Sequence, residues 1–196
     1  MRHGLVSSFV MMVMLVLPRL AMAHAGHDHG DGGLAAGFAH PLTGLDHLIA
    51  MLAIGLWASQ LGGPSVVMLP VTFVSVMLVG AVASMYGLNL PLVEPVIVAS
   101  LLVVGLLVAC AAKLPMSAGI VITAAFAFFH GAAHGQETGE ASPLLFAIGA
   151  IAATILLHII GVMLGSMLKA KASELAVRII GSTVAAAGLL MMIGVL

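Results

Sequence analysis

His40-Pro-Leu-Thr-Gly-Leu-Asp46-His47 opens an apolar run that continues through Leu48-Ile-Ala-Met51-Leu-Ala-Ile-Gly-Leu-Trp57. Ionisable groups inside a membrane span cost roughly 2.5–3.5 kcal/mol each on insertion scales, so two histidines and an aspartate at the mouth of such a run mark a candidate site. A second cluster, Phe129-His130-Gly-Ala-Ala-His134-Gly-Gln-Glu137, lies far away in sequence. The expectation is that the two meet on one side of a membrane and hold a metal ion.

Composition makes the membrane unavoidable. Of 196 residues, 62% are hydrophobic and only 7% are charged, whereas a soluble domain carries about 25% charged residues. So few charges cannot clothe a water-facing surface. The apolar stretches are long and unbroken, which favours helices over the alternating pattern of a membrane barrel. The net charge of −1 points to no nucleic acid and no acidic partner. The single cysteine, Cys110, lies in an apolar run and reads as packing.

The N-terminus reads as a targeting segment. Arg2 supplies the positive start, Leu5 to Leu17 the short apolar core, and Ala21-Met22-Ala23 a small-x-small cleavage site. Residues 1–23 are therefore expected to be a signal peptide, with His24 as the mature start outside the membrane. Residues 24–39 then form a His/Gly-rich arm. His24, His27 and His29, with Asp28 and Asp31, suit Ni²⁺, Cu²⁺, Zn²⁺ or Co²⁺. That arm is either a weak metal collector or a flexible tail with incidental affinity.

Residues 40–196 divide into six apolar segments, about 40–60, 65–87, 91–111, 115–136, 142–168 and 174–196, judged against the roughly 20 residues needed to cross a bilayer. Turn residues separate them, among them Gly62-Gly63-Pro64, Lys113-Leu-Pro115 and Gly139-Glu140-Ala-Ser-Pro143. Ser173 and Glu174 provide a polar, acidic start for the last helix. The expected fold is an all-α integral membrane protein, a six-transmembrane-helix bundle after a cleavable signal peptide. Loops this short force antiparallel neighbours. Trp57 and Tyr86 read as interfacial anchors, and Gly161, Gly165, Gly181 and Gly188 as close-packing positions.

Charge then orients the bundle. With His24 outside, the inside loops hold Lys113, Lys169 and Lys171, with Arg178 close by, and the outside loops hold no Lys or Arg. This satisfies the positive-inside rule and sets both mature termini outside, the periplasm in a bacterium. His40, Asp46 and His47 fall in the outer half of the first span, and His130, His134 and Glu137 in the outer half of the fourth.

Helix geometry sharpens the expectation. Positions seven apart nearly eclipse on a helix, so His40, His47 and Met51 are expected on one face. His130 and His134 are four apart, the spacing that lets two imidazoles reach one ion, and Glu137 continues that face. Asp46 could ligate directly or orient an imidazole. Pro41, Gly44, Gly131 and Gly135 are expected to loosen the helix ends, as in transporters where backbone lines a polar cavity. Buried histidines satisfied by hydrogen bonds between helices are the blander alternative, and four histidines with two carboxylates in two clusters argue against it. His158, one turn after Thr154, reads as a relay or a helix-to-helix bond. Glu94 reads as a site member or as dipole complement for its helix.

At this point the chain resembles the HupE/UreJ family of nickel permeases, accessory proteins of hydrogenase and urease systems. The resemblance rests on His40-Pro-x-x-Gly44-x-Asp46-His47 and Phe129-His130-Gly131-x-Ala133-His134-Gly135-x-Glu137, and extends to the signal peptide and the His-containing mature start. It implies uptake of Ni²⁺, with Co²⁺ as the second candidate, across the bacterial inner membrane, and motif roles for His40, Asp46, His47, His130, His134 and Glu137. It implies no permanently bound cofactor: the metal is cargo. Partners are then the lipid bilayer and the ion, and the sequence admits a homo-oligomer without requiring one. No Walker motif is present, so ATP hydrolysis in this chain does not drive transport. The competing readings are a membrane-embedded metal-dependent hydrolase, with Glu137 as base, and a metal sensor.

Overall fold

The computed structural model describes residues 33–136, 142–171 and 173–196. The signal-peptide segment, the arm histidines His24, His27 and His29, and Glu137 lie outside the described residues. Seven helices are described: α1 Leu34–Thr43, α2 Leu45–Leu61, α3 Ser65–Met85, α4 Val93–Ala109, α5 Met116–Gln136, α6 Pro143–Lys171 and α7 Glu174–Met192.

Four of them, α3, α5, α6 and α7, are long and apolar enough to cross a membrane. α1 and α2 together pass the same test but are bent by 80° at their junction. α4, with 17 residues, rises about 25 Å, somewhat short of the ~30 Å hydrocarbon core.

The surface is apolar. Val71, Val79, Val121, Leu144, Ile159 and Met163 are all exposed. Contiguous apolar surface on this scale is a liability in water and the natural outer face in lipid. The polarity is turned inward: His47, His130, His134, His158, Thr123 and Thr154 are buried. The chain is a membrane protein.

α2 is the central helix. It packs against α1, α3, α4, α6 and α7, and Ala50, Met51, Ile54, Leu56 and Trp57 on different sides of it are all buried. A helix apolar all round is a buried helix. Trp57 is fully buried in this core, not at an interface as its place near a segment end suggested. The indole has no route outward because α2 is enclosed on every side. Tyr86, just past α3, is exposed at a helix end, as expected. Cys110 is exposed at the C-cap of α4, so packing is not its role.

Close helix pairs are made by facing glycines. A Cβ on Gly80 would strike the Phe128 carbonyl of α5, and one on Gly131 would strike the Met77 carbonyl of α3. Gly55 of α2 and Gly161 of α6 meet in the same reciprocal way. With little hydrophobic driving force between helices in lipid, such backbone approach supplies the packing. Gly131 and Gly135 therefore do not loosen α5, which is helical through Gln136; they clamp it to α3. Gly165, Gly181 and Gly188 also sit at close contacts with Ser59, Val108 and Leu101.

The end of the bundle holding the α2–α3, α4–α5 and α6–α7 connections is tied by cations. Lys169 Nζ donates to the Ser59 and Gln60 carbonyls, at 3.2 and 3.4 Å, at the end of α2. Arg178 Nε donates to the Ala109 carbonyl at the end of α4, at 2.7 Å. Positive charge at a helix C-terminus complements its dipole and its unpaired carbonyls. Ser173 caps α7, its hydroxyl accepting from the Ala176 amide.

Candidate metal centre

The expected face shared by His40 and His47 assumed one continuous helix, and the chain breaks between them. α1 begins at Leu34, six residues before His40, and ends at Thr43; Gly44 is extended, at φ −74° and ψ 112°. Pro41 lies inside α1 without breaking it. The Thr43 hydroxyl donates back to the Ala39 and His40 carbonyls, satisfying acceptors at the end of the helix. After Gly44 the chain restarts at 80° to its former course.

That turn folds His40 back over the start of α2. The His40 and His47 rings stand 5.4 Å apart, His40 and His134 4.9 Å, and His47 and His134 5.0 Å. One ring nitrogen from each of the three lies within 4.8 Å of the others. Around a common ion at about 2.0–2.1 Å per nitrogen, donors stand about 3–4 Å apart, so small rotations would close the set. His47 and His134 are buried, and His40 is half-buried. The trio thus has an outer member and two inner ones.

The ring nitrogens are aimed by their other hydrogen bonds. His47 Nδ1 is 3.0 Å from Asp46 Oδ1. His130 Nδ1 is 2.9 Å from the Phe126 carbonyl oxygen. A carboxylate or carbonyl can only accept, so in both rings Nδ1 carries the hydrogen and Nε2 offers its lone pair. Neither Nε2 has a hydrogen-bond partner, nor does either nitrogen of His134. Buried polar atoms normally find partners, and this concentration of unmet ring nitrogens is the chemistry of a site for a borderline cation such as Ni²⁺, Co²⁺ or Zn²⁺.

His130 stands one turn deeper than His134. Its ring is 5.1 Å from that of His47, and it is not in the trio. Below it the structure adds a residue that sequence reasoning passed over. Phe73, fully buried on α3, has its ring 5.3 Å from that of His130 and 5.0 Å from that of His158. As one apolar residue in an apolar span, it carried no signal. Phe146 flanks His40 at 5.7 Å in the same unannounced way.

The remaining candidates separate. Asp46 supports His47 and lies outside the trio. Met51 is fully buried among the apolar core residues around Trp57 and Phe73. Glu94 is exposed in the first turn of α4, also outside the trio. His158 makes no helix-to-helix hydrogen bond: its two nitrogens have no partner, and Thr154 instead donates to Met77 Sδ at 3.8 Å.

A broken helix that turns a histidine back onto two others, inside an apolar bundle, defines a polytopic membrane protein with a buried imidazole centre. The particular family follows from the comparisons. The family described as HupE / UreJ protein matches residues 12–191, and the chain belongs to that family. It is 42% identical to "Protein HupE" of Rhizobium leguminosarum bv. viciae over 181 residues, covering 92% of this chain and 94% of the relative. No solved structure matches the chain.

Proposed function

We propose that this protein takes up a divalent transition-metal ion, Ni²⁺ before Co²⁺, across the bacterial inner membrane as a secondary permease or channel, supplying hydrogenase or urease maturation. The observation that carries this reading is the imidazole trio: three ring nitrogens, two from either side of the break between α1 and α2 and one from α5, within 4.8 Å, with half-buried His40 outermost. Histidines can replace the water shell of an ion at the mouth of an apolar bundle. Neutral donors hold it loosely enough to release, as conduction requires.

In this reading the end holding the trio faces the periplasm, and the end held by Lys169 and Arg178 faces the cytoplasm, in keeping with positive charge inside. α4 serves as a sixth, shorter span, and both mature termini lie outside. Glu137, three residues past His134, adds a carboxylate to the entry, and His24, His27 and His29 collect ions for it.

The test is uptake into proteoliposomes, comparing Ni²⁺, Co²⁺ and Zn²⁺. The native chain is expected to accumulate Ni²⁺ fastest. His47→Ala and His134→Ala are expected to abolish accumulation while the protein still inserts. Unchanged accumulation in both variants would overturn the permease role of the trio.

A further inference from the structure

Beneath the imidazole cluster, the bundle holds a fifth histidine that the entry does not use. His158 is 1% exposed, midway along α6, about 18 Å further down the helix than Phe146, which flanks His40. Among the described residues, neither of its ring nitrogens has a hydrogen-bond partner. Leucine or phenylalanine would fill the same volume in an apolar span without leaving two polar atoms unmet. Packing therefore does not explain a histidine here.

Its surroundings suggest what does. On one side is Phe73, whose other flank meets His130. A single phenyl ring is thus in contact with both the cluster and His158. On another side His158 lines a cavity of about 400 Å³ between α3 and α6 that opens on the apolar outer surface at Val71, Ile159 and Met163, with Ser75 as its one further polar residue. The cavity borders the first half of α3, so it lies toward the Gly62–Pro64 turn, away from the trio.

We infer that His158 is a second station for the ion, a single-imidazole site deeper in the bundle than the trio. The inference rests on the uptake reading above and deepens it. The physical logic is the gradient of donors. Three imidazoles at the entry can strip a hydrated ion; one imidazole facing a roomy apolar cavity can hold it only briefly. Conduction through several weak sites avoids trapping at any one of them.

Two measurements test this. First, His158→Ala in proteoliposomes is expected to lower the initial rate of Ni²⁺ entry about tenfold or more, while equilibrium Ni²⁺ binding by the same purified variant stays near native because the trio is untouched. Entry at the native rate would overturn the inference. Second, His158→Cys in a Cys110→Ser background places a soft ligand at the station. Titrating that chain with Co²⁺ is expected to produce a thiolate-to-cobalt charge-transfer band in the near ultraviolet, absent from Cys110→Ser alone. No band would overturn the inference, and the titration decides it alone if His158→Ala does not fold. A native chain that takes up no metal would sink the permease reading, whereas the cobalt band reports on position 158 whatever the flux.

Discussion

One carboxylate oxygen, Asp46 Oδ1, lies 3.0 Å from Nδ1 of His47 and 2.8 Å from the backbone nitrogen of the same residue. Both contacts serve to hold the imidazole. The oxygen sits in the first turn of α2, where negative charge complements the helix dipole. It keeps the His47 hydrogen on Nδ1 and so leaves the lone pair on Nε2.

If Asp46 orients rather than ligates, removing it should weaken metal binding without abolishing it. Asp46→Ala is expected to cost roughly 10–100-fold in Ni²⁺ affinity, the usual loss when the partner of a ligating imidazole is removed. Asp46→Asn keeps an oxygen that accepts from Nδ1 and should lose clearly less. Equilibrium binding to the purified protein checks this. Equal losses in the two variants would instead make the carboxylate a ligand.

The break at Gly44 is expected to matter as much as the ligands. Alanine can adopt φ −74° and ψ 112°, but it favours a continuing helix by up to about 1 kcal/mol over glycine. Its Cβ would also come within 3.3 Å of Asp46 Oδ1 and 3.4 Å of His47 Nδ1. Gly44→Ala should therefore swing His40 away and weaken Ni²⁺ binding by about fivefold, the equivalent of that energy. Native affinity in this variant would show that the bend does not depend on Gly44.

The glycine contacts make a sharper stability prediction. In Gly131→Ala the new methyl would meet the Met77 carbonyl, which is backbone and cannot swing aside. Overpacking of this kind costs about 1–3 kcal/mol, seen as a lower midpoint of thermal unfolding in detergent. The control is Gly119→Ala on the same helix, whose methyl would find ordinary contacts at 3.5 Å or more with Leu69, Leu61 and Trp57. That variant should be neutral or slightly stabilised. If both behave alike, the α3–α5 crossing is softer than the facing glycines imply.

Much of the candidate centre was legible beforehand because metal-ligand chemistry uses few residue types. His40, Asp46, His47, His130 and His134 stand out in a chain that is otherwise 62% hydrophobic, and a membrane limits where such residues can go. The spacing arguments fared unevenly. His40 and His47 do meet, but by a bend and not by helical periodicity, because Gly44 ends one helix and starts another. Trp57 was misjudged since its place in sequence says nothing of which helix lies at the centre. Phe73 was silent for a related reason: its importance lies in two histidines on other helices.

Composition and motif spacing alone determined the class of molecule, an all-helical membrane protein, and singled out the histidines that the candidate centre draws on, since burying backbone and charge in lipid leaves few solutions. The tertiary structure alone decided that α2 is the central helix, that His40 joins His47 and His134 while His130 stands deeper, and that Phe73 packs against both His130 and His158. Those relationships depend on where glycines let helices touch and on the direction the chain takes after Gly44. Both are set by contacts between distant segments, which no local pattern records.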